Sequence, residues 1–299
     1  MDDPDIREST AGPSAGPFGG PLLFSLAHPD DESFSCGGTI VKAVAAGAPV
    51  TVISATRGER GESAIPAITT PQTLAAVRDQ ELRTAMAGLG VTDVRFLGYW
   101  DSGMDGTPEN DDPRAFVQAP QEDVVTRLVV QVRGLRPAVV ITFGPEGGYG
   151  HPDHIAIHHA TVDAVTQSAQ AGHRPELGPP WTVDALYYTA TPRDLLLKFA
   201  EKNEGPFRHL SMEARQRLGV REEDITTRID ITDRLRQKAA AVLAHASQVG
   251  DPTRFDLDAA GERRHWRMLD HEHFVRARLP WEPASGDLAD PLLKLDQFP

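Results

Sequence analysis

The sequence predicts an α/β fold: a Rossmann-like, mostly parallel sheet with helices on both faces, in a single domain with a smaller C-terminal extension. Short apolar runs alternate with longer segments whose apolar residues recur at helical spacing. This alternation is typical of βαβ units. The short runs are apolar on both faces, as expected for strands buried between two layers of helices. Such sheets bind ligands beyond the carboxyl ends of their strands, so the segments that follow the strands are the places to search for a site.

The elements follow in chain order. Strands are predicted at residues 22–27, 50–55, 94–97, 138–143 and 185–190, with an alternating edge strand at 225–231. Helices are predicted at residues 35–46, 73–89, 121–135, from 155 onward, and from 232 to about 248. The remaining segments are predicted as a disordered, Pro/Gly-rich arm at 1–20, a mixed region with a weak helical pattern at 191–224, a loop at 249–265 and a loosely attached tail at 284–299. The domain therefore spans residues 21–283.

Composition excludes several classes of protein. The 299 residues carry 30 Lys+Arg against 43 Asp+Glu, a net charge of −13, which argues against a protein that binds nucleic-acid phosphates. A single cysteine, Cys36, excludes an intramolecular disulfide framework and a cysteine-rich zinc module. No run approaches the roughly 18 apolar residues of a membrane helix, and the first twenty residues hold no secretory signal. We expect a cytoplasmic protein without nucleic-acid or membrane partners; the sequence leaves a homo-oligomer open.

Two clusters of histidine and aspartate follow two of the predicted strands. The first strand ends in His28-Pro29-Asp30-Asp31-Glu32. Pro29 has a fixed φ, so one imidazole and one carboxylate can face a common point. The strand at 138–143 is followed, after a glycine-rich loop, by His151-Pro152-Asp153-His154. The repeated His-Pro-Asp design predicts that both turns serve the same site.

The residue types at these turns are those of a catalytic metal site. If the two strands are neighbours, His28, Asp31 and His154 would offer two nitrogens and one oxygen to a metal and leave a coordination position open. That pattern is typical of catalytic rather than structural zinc. Asp30 and His151 remain for proton transfer. Helix-capping aspartates and ordinary loop histidines are the alternative, but two clusters of one design after two buried strands favour the metal site.

The two motifs resemble those of the LmbE-like/PIG-L family of metal-dependent N-deacetylases, which has AHPDDE after the first strand and HPDH after a later one. The resemblance covers about residues 21–170 and extends more weakly to Lys238 and residues 245–248. Within the family, the sequence is most similar to the deacetylases of mycothiol biosynthesis, which act on N-acetylglucosaminyl-inositol. The shared stretches are HPDDES at 28–33, DSGM at 101–104 and GGYGHPDH at 147–154.

The resemblance implies a metal centre and a base. His28, Asp31 and His154 would be the metal ligands, and Asp30 would be the general base. The metal would be zinc, with Fe²⁺ as the alternative in the cell because nitrogen and oxygen ligands discriminate little between the two.

The resemblance also implies roles for residues around the metal. His151 would stabilise the oxyanion or protonate the leaving amine, and Tyr149 would support the polarised carbonyl. Arg78 and Asp101 match positions that hold sugar hydroxyls. Asp153 would orient a histidine ligand.

The expected reaction removes the acetyl group from the amide nitrogen of an N-acetylglucosamine-type conjugate, a small N-acetylated glycoside. Amides are poor electrophiles, so their hydrolysis needs the strong nucleophile and polarised carbonyl that a divalent metal supplies. An amidase of mycothiol-type S-conjugates is one alternative, although the related amidases carry lysine where this chain has Ser35. A non-catalytic metal- or sugar-binding module is another. A metal-dependent phosphoesterase is disfavoured because the sequence shows no second metal cluster.

Several other residues are interpreted as structural. Glu32 is predicted to hydrogen-bond locally at a helix start, and His158 to lie on a helix surface or in packing. The His-Glu-His segment at 271–273 lacks a third ligand nearby in sequence. Cys36 has no base partner beside it, which disfavours a nucleophile. Trp100 is compatible equally with stacking on a sugar ring and with the core.

Overall fold

The computed structural model describes residues 19–201, 218–250 and 270–298. Its strands are β1 (Leu22–Leu26), β2 (Val50–Ser54), β3 (Asp93–Phe96), β4 (Val139–Phe143), β5 (Ala185–Ala190), β6 (Thr227–Asp230) and β7 (His271–Ala277). They form one seven-stranded sheet in the order β3-β2-β1-β4-β5-β7-β6. The first five strands pair in parallel, and β7 pairs antiparallel with β5 and β6. The predicted mostly parallel α/β fold is confirmed.

The helices are α1 (Asp31–Ala45), α2 (Pro71–Gly88), α3 (Gln121–Leu135), the single turn α4 (Gly147–Gly150), α5 (Pro152–Ser168), α6 (Arg193–Glu201), α7 (Leu235–Ala244) and α8 (Ala246–Val249). The helix predicted from 232 to about 248 is interrupted at His245, which separates α7 from α8. Helix α7 packs against α1 and α2, whereas α3 packs against α5. Right-handed connections place α1 and α2 on one face of the sheet and α3 on the other.

The order of the strands determines where the site lies. From β1 the chain moves outward through β2 to β3 and then returns to β4 on the other side of β1. Strands β1 and β4 are therefore adjacent and parallel, and the order of connections reverses between them. Both strands are buried along their whole length. The carboxyl ends of two strands at such a reversal form a crevice, which is where sheets of this type bind ligands.

The C-terminal residues differ from the expected loose attachment. Leu292 and Leu295 are fully buried in the hydrophobic core. The carboxylate of Asp290 accepts hydrogen bonds from the hydroxyls of Tyr187, at 2.6 Å, and Thr227, at 2.5 Å. The tail thus packs over β5 and β6, because its leucines can bury apolar area that the sheet would otherwise expose.

Some predictions concern residues that the structure does not describe. The arm at 1–20 lies outside the described residues except for its last two, and the loop at 249–265 lies outside them from 251 onward. In the mixed region, α6 begins at Arg193 as the weak helical pattern suggested, and residues 202–217 are not described. In the described parts of the chain, we find no helix with the length and apolarity needed to cross a bilayer.

Candidate functional site

The first His-Pro-Asp turn lies at the carboxyl end of β1. His28 follows the strand and Asp31 begins α1, and both side chains are buried. Oδ2 of Asp31 accepts the backbone N–H groups of Ala27, at 3.2 Å, and His28, at 2.7 Å. These two bonds hold the Asp31 carboxylate against the backbone from which the His28 side chain projects.

The second turn lies at the carboxyl end of β4, next to the first. His151 caps α5, because its Nδ1 accepts the backbone N–H of Asp153 at 3.2 Å. In the first turn of α5, Nδ1 of His154 lies 3.2 Å from the carbonyl oxygen of Gly147. A carbonyl only accepts, so Nδ1 of His154 carries the proton and Nε2 keeps its lone pair. The ring of Phe143 stacks on His154 with centroids 3.8 Å apart, which fixes the plane of the imidazole.

The three side chains predicted as metal ligands come together. Nδ1 of His28 lies 3.1 Å from Nε2 of His154, which lies 3.4 Å from Oδ1 of Asp31. Oδ2 of Asp31 lies 3.7 Å from Nδ1 of His28. Ligands bound tetrahedrally at ~2.0–2.1 Å are about 3.3 Å apart, and the distances from Nε2 of His154 to Nδ1 of His28 and to Oδ1 of Asp31 are close to that value. The donor set of two imidazoles and one carboxylate suits a zinc ion.

Two other groups of three potential metal ligands share residues with this set. Donor atoms of His28, His151 and His154 lie within 4.8 Å of one another, and so do those of His28, Asp101 and Asp153. We favour Asp31 over His151 as the third ligand because Nδ1 of His151 already accepts a backbone N–H. Nε2 of His28 faces the carboxylate of Asp153 at 3.0 Å, so its Nδ1 is the nitrogen left for a metal.

The charges of the cluster suit a cation. Burial lowers the pKa of His28, but the carboxylates of Asp101 and Asp153 outweigh it and raise the pKa to about 9. Burial raises the pKa of Asp31, but His154 and His28 more than offset this and hold it well below its usual range. The metal-free cluster therefore holds a proton that a bound metal would displace.

Asp30 lies in the first turn, between His28 and Asp31 in sequence. Its side chain is 20% exposed, and Oδ2 accepts a hydrogen bond from Nη2 of Arg78 at 3.2 Å. Burial of the carboxylate raises its pKa to about 6, although Arg78 acts in the opposite direction. A carboxylate with this pKa is ionised at pH 7 and is a stronger base than an ordinary aspartate.

His151 and Tyr149 lie on the α4–α5 side of the cluster. The ring of His151 is 4.5 Å from that of His28, and the ring of Tyr149 is 5.1 Å from that of His154. Burial, together with His28 and His154, lowers the pKa of His151 far below its usual range. Burial and the neighbouring carboxylates raise the pKa of Tyr149 well above its usual value. At neutral pH both groups are therefore uncharged in the metal-free protein.

Arg78 and Asp101, predicted to hold sugar hydroxyls, are both buried and have partners in the protein. Nη1 and Nη2 of Arg78 donate to the carbonyl oxygens of Gly58, at 3.0 Å, and Pro29, at 2.6 Å. Asp101 accepts the backbone N–H groups of Arg60, at 3.1 Å, and Gly103, at 2.8 Å. In the structure both residues hydrogen-bond to backbone groups of the loops around the site. Their contact with a sugar stays a prediction.

Sequence reasoning missed the buried partners of the first turn. Glu32 bonds locally, as predicted, to Ser33 and the Asp30 backbone, but it also contacts His245 at 2.8 Å. Glu59 accepts the backbone N–H of Asp101 at 3.1 Å. The only signal for His245 was the weak family resemblance at 245–248.

The residues interpreted as structural have structural surroundings. Nδ1 of His158 lies 2.8 Å from the Phe143 carbonyl oxygen, and Cys36 is fully buried. The segment 271–273 lies in β7, and it joins none of the candidate metal groups among the described residues. The guanidinium of Arg114 lies 4.5 Å from the centre of the Trp100 ring and covers one of its faces.

Comparison with known proteins gives the family. The profile described as PIG-L, GlcNAc-PI de-N-acetylase, matches residues 23–165. The 1D-myo-inositol 2-acetamido-2-deoxy-alpha-D-glucopyranoside deacetylase of Geodermatophilus obscurus is 42% identical over 242 residues, which are 76% of this chain and 82% of that protein. Identity at this level over most of both chains establishes common family membership.

Solved structures share the fold. The N,N'-diacetylchitobiose deacetylase of Pyrococcus horikoshii matches with a TM-score of 0.61 at 20% identity, over 88% of this chain and 87% of that one. A 4-carboxy-2-hydroxymuconate hydratase from Pseudomonas putida matches with a TM-score of 0.59 at 21% identity, over 90% and 99%. Because one fold holds both a deacetylase and a hydratase, the structural likeness alone does not identify a reaction. The sequence relationship does identify the family: the chain belongs to the PIG-L family, as its two His-Pro-Asp motifs predicted.

Proposed function

We propose that the chain is a zinc-dependent N-deacetylase that hydrolyses the acetamide of an N-acetylglucosamine-type conjugate and releases acetate and a free amine. The observation that carries the proposal is a buried donor set of two imidazoles and one carboxylate with the Asp30 carboxylate beside it. The relative from Geodermatophilus obscurus bears the name of a deacetylase of an N-acetylglucosaminyl-inositol. We therefore place that glycoside first among the substrates.

His28, Asp31 and His154 would hold the metal. When bound, a divalent ion polarises the acetamide carbonyl and makes water more acidic. The donor set contains no thiolate, so Fe²⁺ is the alternative to Zn²⁺. Elemental analysis of protein purified with and without oxygen distinguishes the two.

Asp30 takes the proton of the attacking water. Its pKa, raised to about 6 by burial, makes the ionised form both abundant and basic at neutral pH. Arg78 holds Oδ2 of Asp30, which leaves the other carboxylate oxygen to receive the proton. Protonated Asp30 can then return that proton to the leaving amine.

His151 and Tyr149 stabilise charge on the carbonyl oxygen. Nδ1 of His151 accepts a backbone N–H, so the neutral imidazole carries its proton on Nε2 and can donate it in a hydrogen bond. This favours oxyanion stabilisation over protonation of the amine, the two roles implied by the family resemblance. The phenol of Tyr149 stays protonated at neutral pH and can donate to the same oxygen.

The test is acetate release from 1D-myo-inositol 2-acetamido-2-deoxy-α-D-glucopyranoside by protein of known metal content. We expect turnover by the wild type, and in Asp30→Asn only a small residual turnover with retained metal. Simple N-acetylglucosamine glycosides in the same assay show how much the inositol contributes. If none of these glycosides releases acetate, the proposed reaction is wrong.

A mycothiol-type S-conjugate, assayed as a second substrate, separates two competing functions. Cleavage of the S-conjugate without acetate release from the glycosides would identify an amidase. A metal-loaded wild type that binds the glycoside but hydrolyses neither substrate would identify a binding module.

A further inference from the structure

The buried carboxylate of Glu32 contacts the turn that carries Asp30. Its Oε2 accepts the backbone N–H of Asp30 at 3.0 Å. Its Oε1 accepts the hydroxyl of Ser33 at 2.6 Å and lies 2.8 Å from Nε2 of His245. Glu32 is 1% exposed and His245 is completely buried. A carboxylate removed from water to this extent needs such partners, and His245 supplies a charged one when it is protonated.

The backbone at Asp30 adopts a conformation that needs support. Its φ is 119°, in the region that favours glycine, and a non-glycine residue remains there only when its surroundings enforce it. The peptide unit between Pro29 and Asp30 is held at both ends. Nη2 of Arg78 donates to the Pro29 carbonyl oxygen at 2.6 Å, and the Asp30 N–H donates to Glu32. An anion and a cation therefore fix the plane of this peptide and the direction of the Asp30 side chain.

Ser33, His245 and Glu32 are also the residue types of a nucleophilic triad, but their arrangement differs from one. In a triad, serine and carboxylate bind opposite nitrogens of the histidine. Here Nε2 of His245 faces both Ser33, at 3.2 Å, and Glu32, at 2.8 Å. Nδ1 of His245 is buried without a hydrogen-bond partner among the described residues. The serine is fully buried as well, so the hydroxyl and the imidazole serve the carboxylate.

We propose that Glu32, anchored by His245, is a positioning residue that holds the Asp30 peptide and thereby aims the Asp30 carboxylate at the reacting water. The inference rests on the proposed deacetylase function. Through His245, which lies between α7 and α8, the later part of the chain would help to position the proposed base.

The test is Glu32→Gln in metal-loaded protein, with 1D-myo-inositol 2-acetamido-2-deoxy-α-D-glucopyranoside as substrate. The side-chain amide has one oxygen, so it can accept from Asp30 or from the His245 side but not from both. We expect kcat to fall about 10- to 100-fold and KM to change less than about threefold, because misalignment of a base affects the chemical step. The metal content per chain should equal that of the wild type.

Glu272→Gln is the matched control. Glu272 is also buried and also contacts α1, where it accepts the N–H groups of Gly38, at 2.8 Å, and Thr39, at 2.7 Å. It also contacts a cation, Lys238, at 2.6 Å. We expect this variant to lose thermal stability while its kcat stays near the wild-type value. An equal fall of kcat in Glu272→Gln and Glu32→Gln would overturn the positioning role.

A second pair of variants leaves Glu32 unchanged. The amide of His245→Gln keeps an N–H donor for Glu32, whereas His245→Leu keeps none. We expect the kcat of His245→Gln to exceed that of His245→Leu at least tenfold; equal values would contradict the proposal. In an Asp30→Asn background, Glu32→Gln should not lower kcat further, because the Asp30 carboxylate that Glu32 positions is absent.

The assays separate this inference from the function on which it rests. A wild type that releases no acetate overturns the deacetylase function and the inference with it. If the wild type is active and the kcat values of Glu32→Gln and His245→Leu both equal its kcat, only the inference about Glu32 is overturned.

Discussion

Nε2 of His28 lies 3.0 Å from Oδ2 of Asp153, and this contact joins the turn after β1 to the first turn of α5. The same oxygen accepts the backbone N–H of Ser102 at 3.0 Å, and Asp153 is fully buried. A carboxylate so placed keeps a proton on Nε2 of His28 and directs its Nδ1 towards Asp31 and His154. Asp153 therefore sets the orientation and tautomer of one proposed ligand.

Asp153→Asn is expected to weaken zinc binding about 10- to 100-fold, the usual effect of losing a carboxylate that orients a histidine ligand. The amide keeps the shape of the side chain but loses the charge that makes His28 a better donor. Competition with a chromophoric chelator measures the affinity. Asp163→Asn is the control, since Asp163 lies on the same helix and contacts Gln121 at the surface. Unchanged affinity in Asp153→Asn would show that Asp153 does not support the metal.

The proposed base predicts how the rate depends on pH. Burial raises the pKa of Asp30 to about 6, and only the ionised carboxylate accepts a proton. The value of kcat/KM should be half-maximal near pH 6, nearly constant above about pH 7, and should fall about tenfold per pH unit below about pH 5. The measurement is a pH–rate profile with metal content determined at each pH. The residual rate of Asp30→Asn should lack this acid limb; an identical limb in that variant would assign it to another group.

The proposed ligand set could be inferred from sequence because each half of it is local. His28 and Asp31 share one turn, and His154 lies in another turn of the same design. The only long-range requirement is that β1 and β4 be adjacent, which follows from the pattern of strands and helices. The contact between Glu32 and His245 spans 213 positions along the chain. No local pattern encodes such a pair, so sequence reasoning treated Glu32 as a helix-start residue.

The C-terminal part of the fold was harder to predict for a related reason. Strand β7 enters the sheet antiparallel, between β5 and β6, and that position depends on pairing with strands far away in sequence. The tail at 284–299 was predicted to be loosely attached, although it carries four leucines. Two of these, Leu292 and Leu295, are buried in the core, and their burial attaches the segment to the sheet.

The packing of the tail predicts a difference between two neighbouring leucines. Leu295→Ala should destabilise the protein by about 2–5 kcal/mol, because it removes a fully buried side chain and leaves a cavity. Leu293→Ala, in the same segment but at a position 44% exposed, should change stability by less than about 0.5 kcal/mol. Urea unfolding followed by circular dichroism measures both. Equal stabilities would mean that the tail does not contribute to the core in solution.

His151 is predicted to act as a neutral hydrogen-bond donor rather than as an acid. Its pKa lies far below the usual range, chiefly because of burial, so a protonated imidazole is scarce at neutral pH. His151→Ala should lower kcat about 10²- to 10³-fold, the usual effect of removing one oxyanion donor. His151→Gln places an N–H donor near the position of Nε2 and should recover at least tenfold of that loss.

The comparison of these two variants separates the roles that the family resemblance left open for His151. A side-chain amide can donate a hydrogen bond but cannot transfer a proton to the leaving amine at neutral pH. Equal kcat values for His151→Ala and His151→Gln would therefore assign His151 to proton transfer and contradict the neutral-donor role. Metal content must be equal in both, because the ring of His151 lies 5.0 Å from that of His154 and its removal could disturb the ligand. With equal metal, a higher kcat in the glutamine variant follows only if the hydrogen bond, and not the proton, is what His151 contributes.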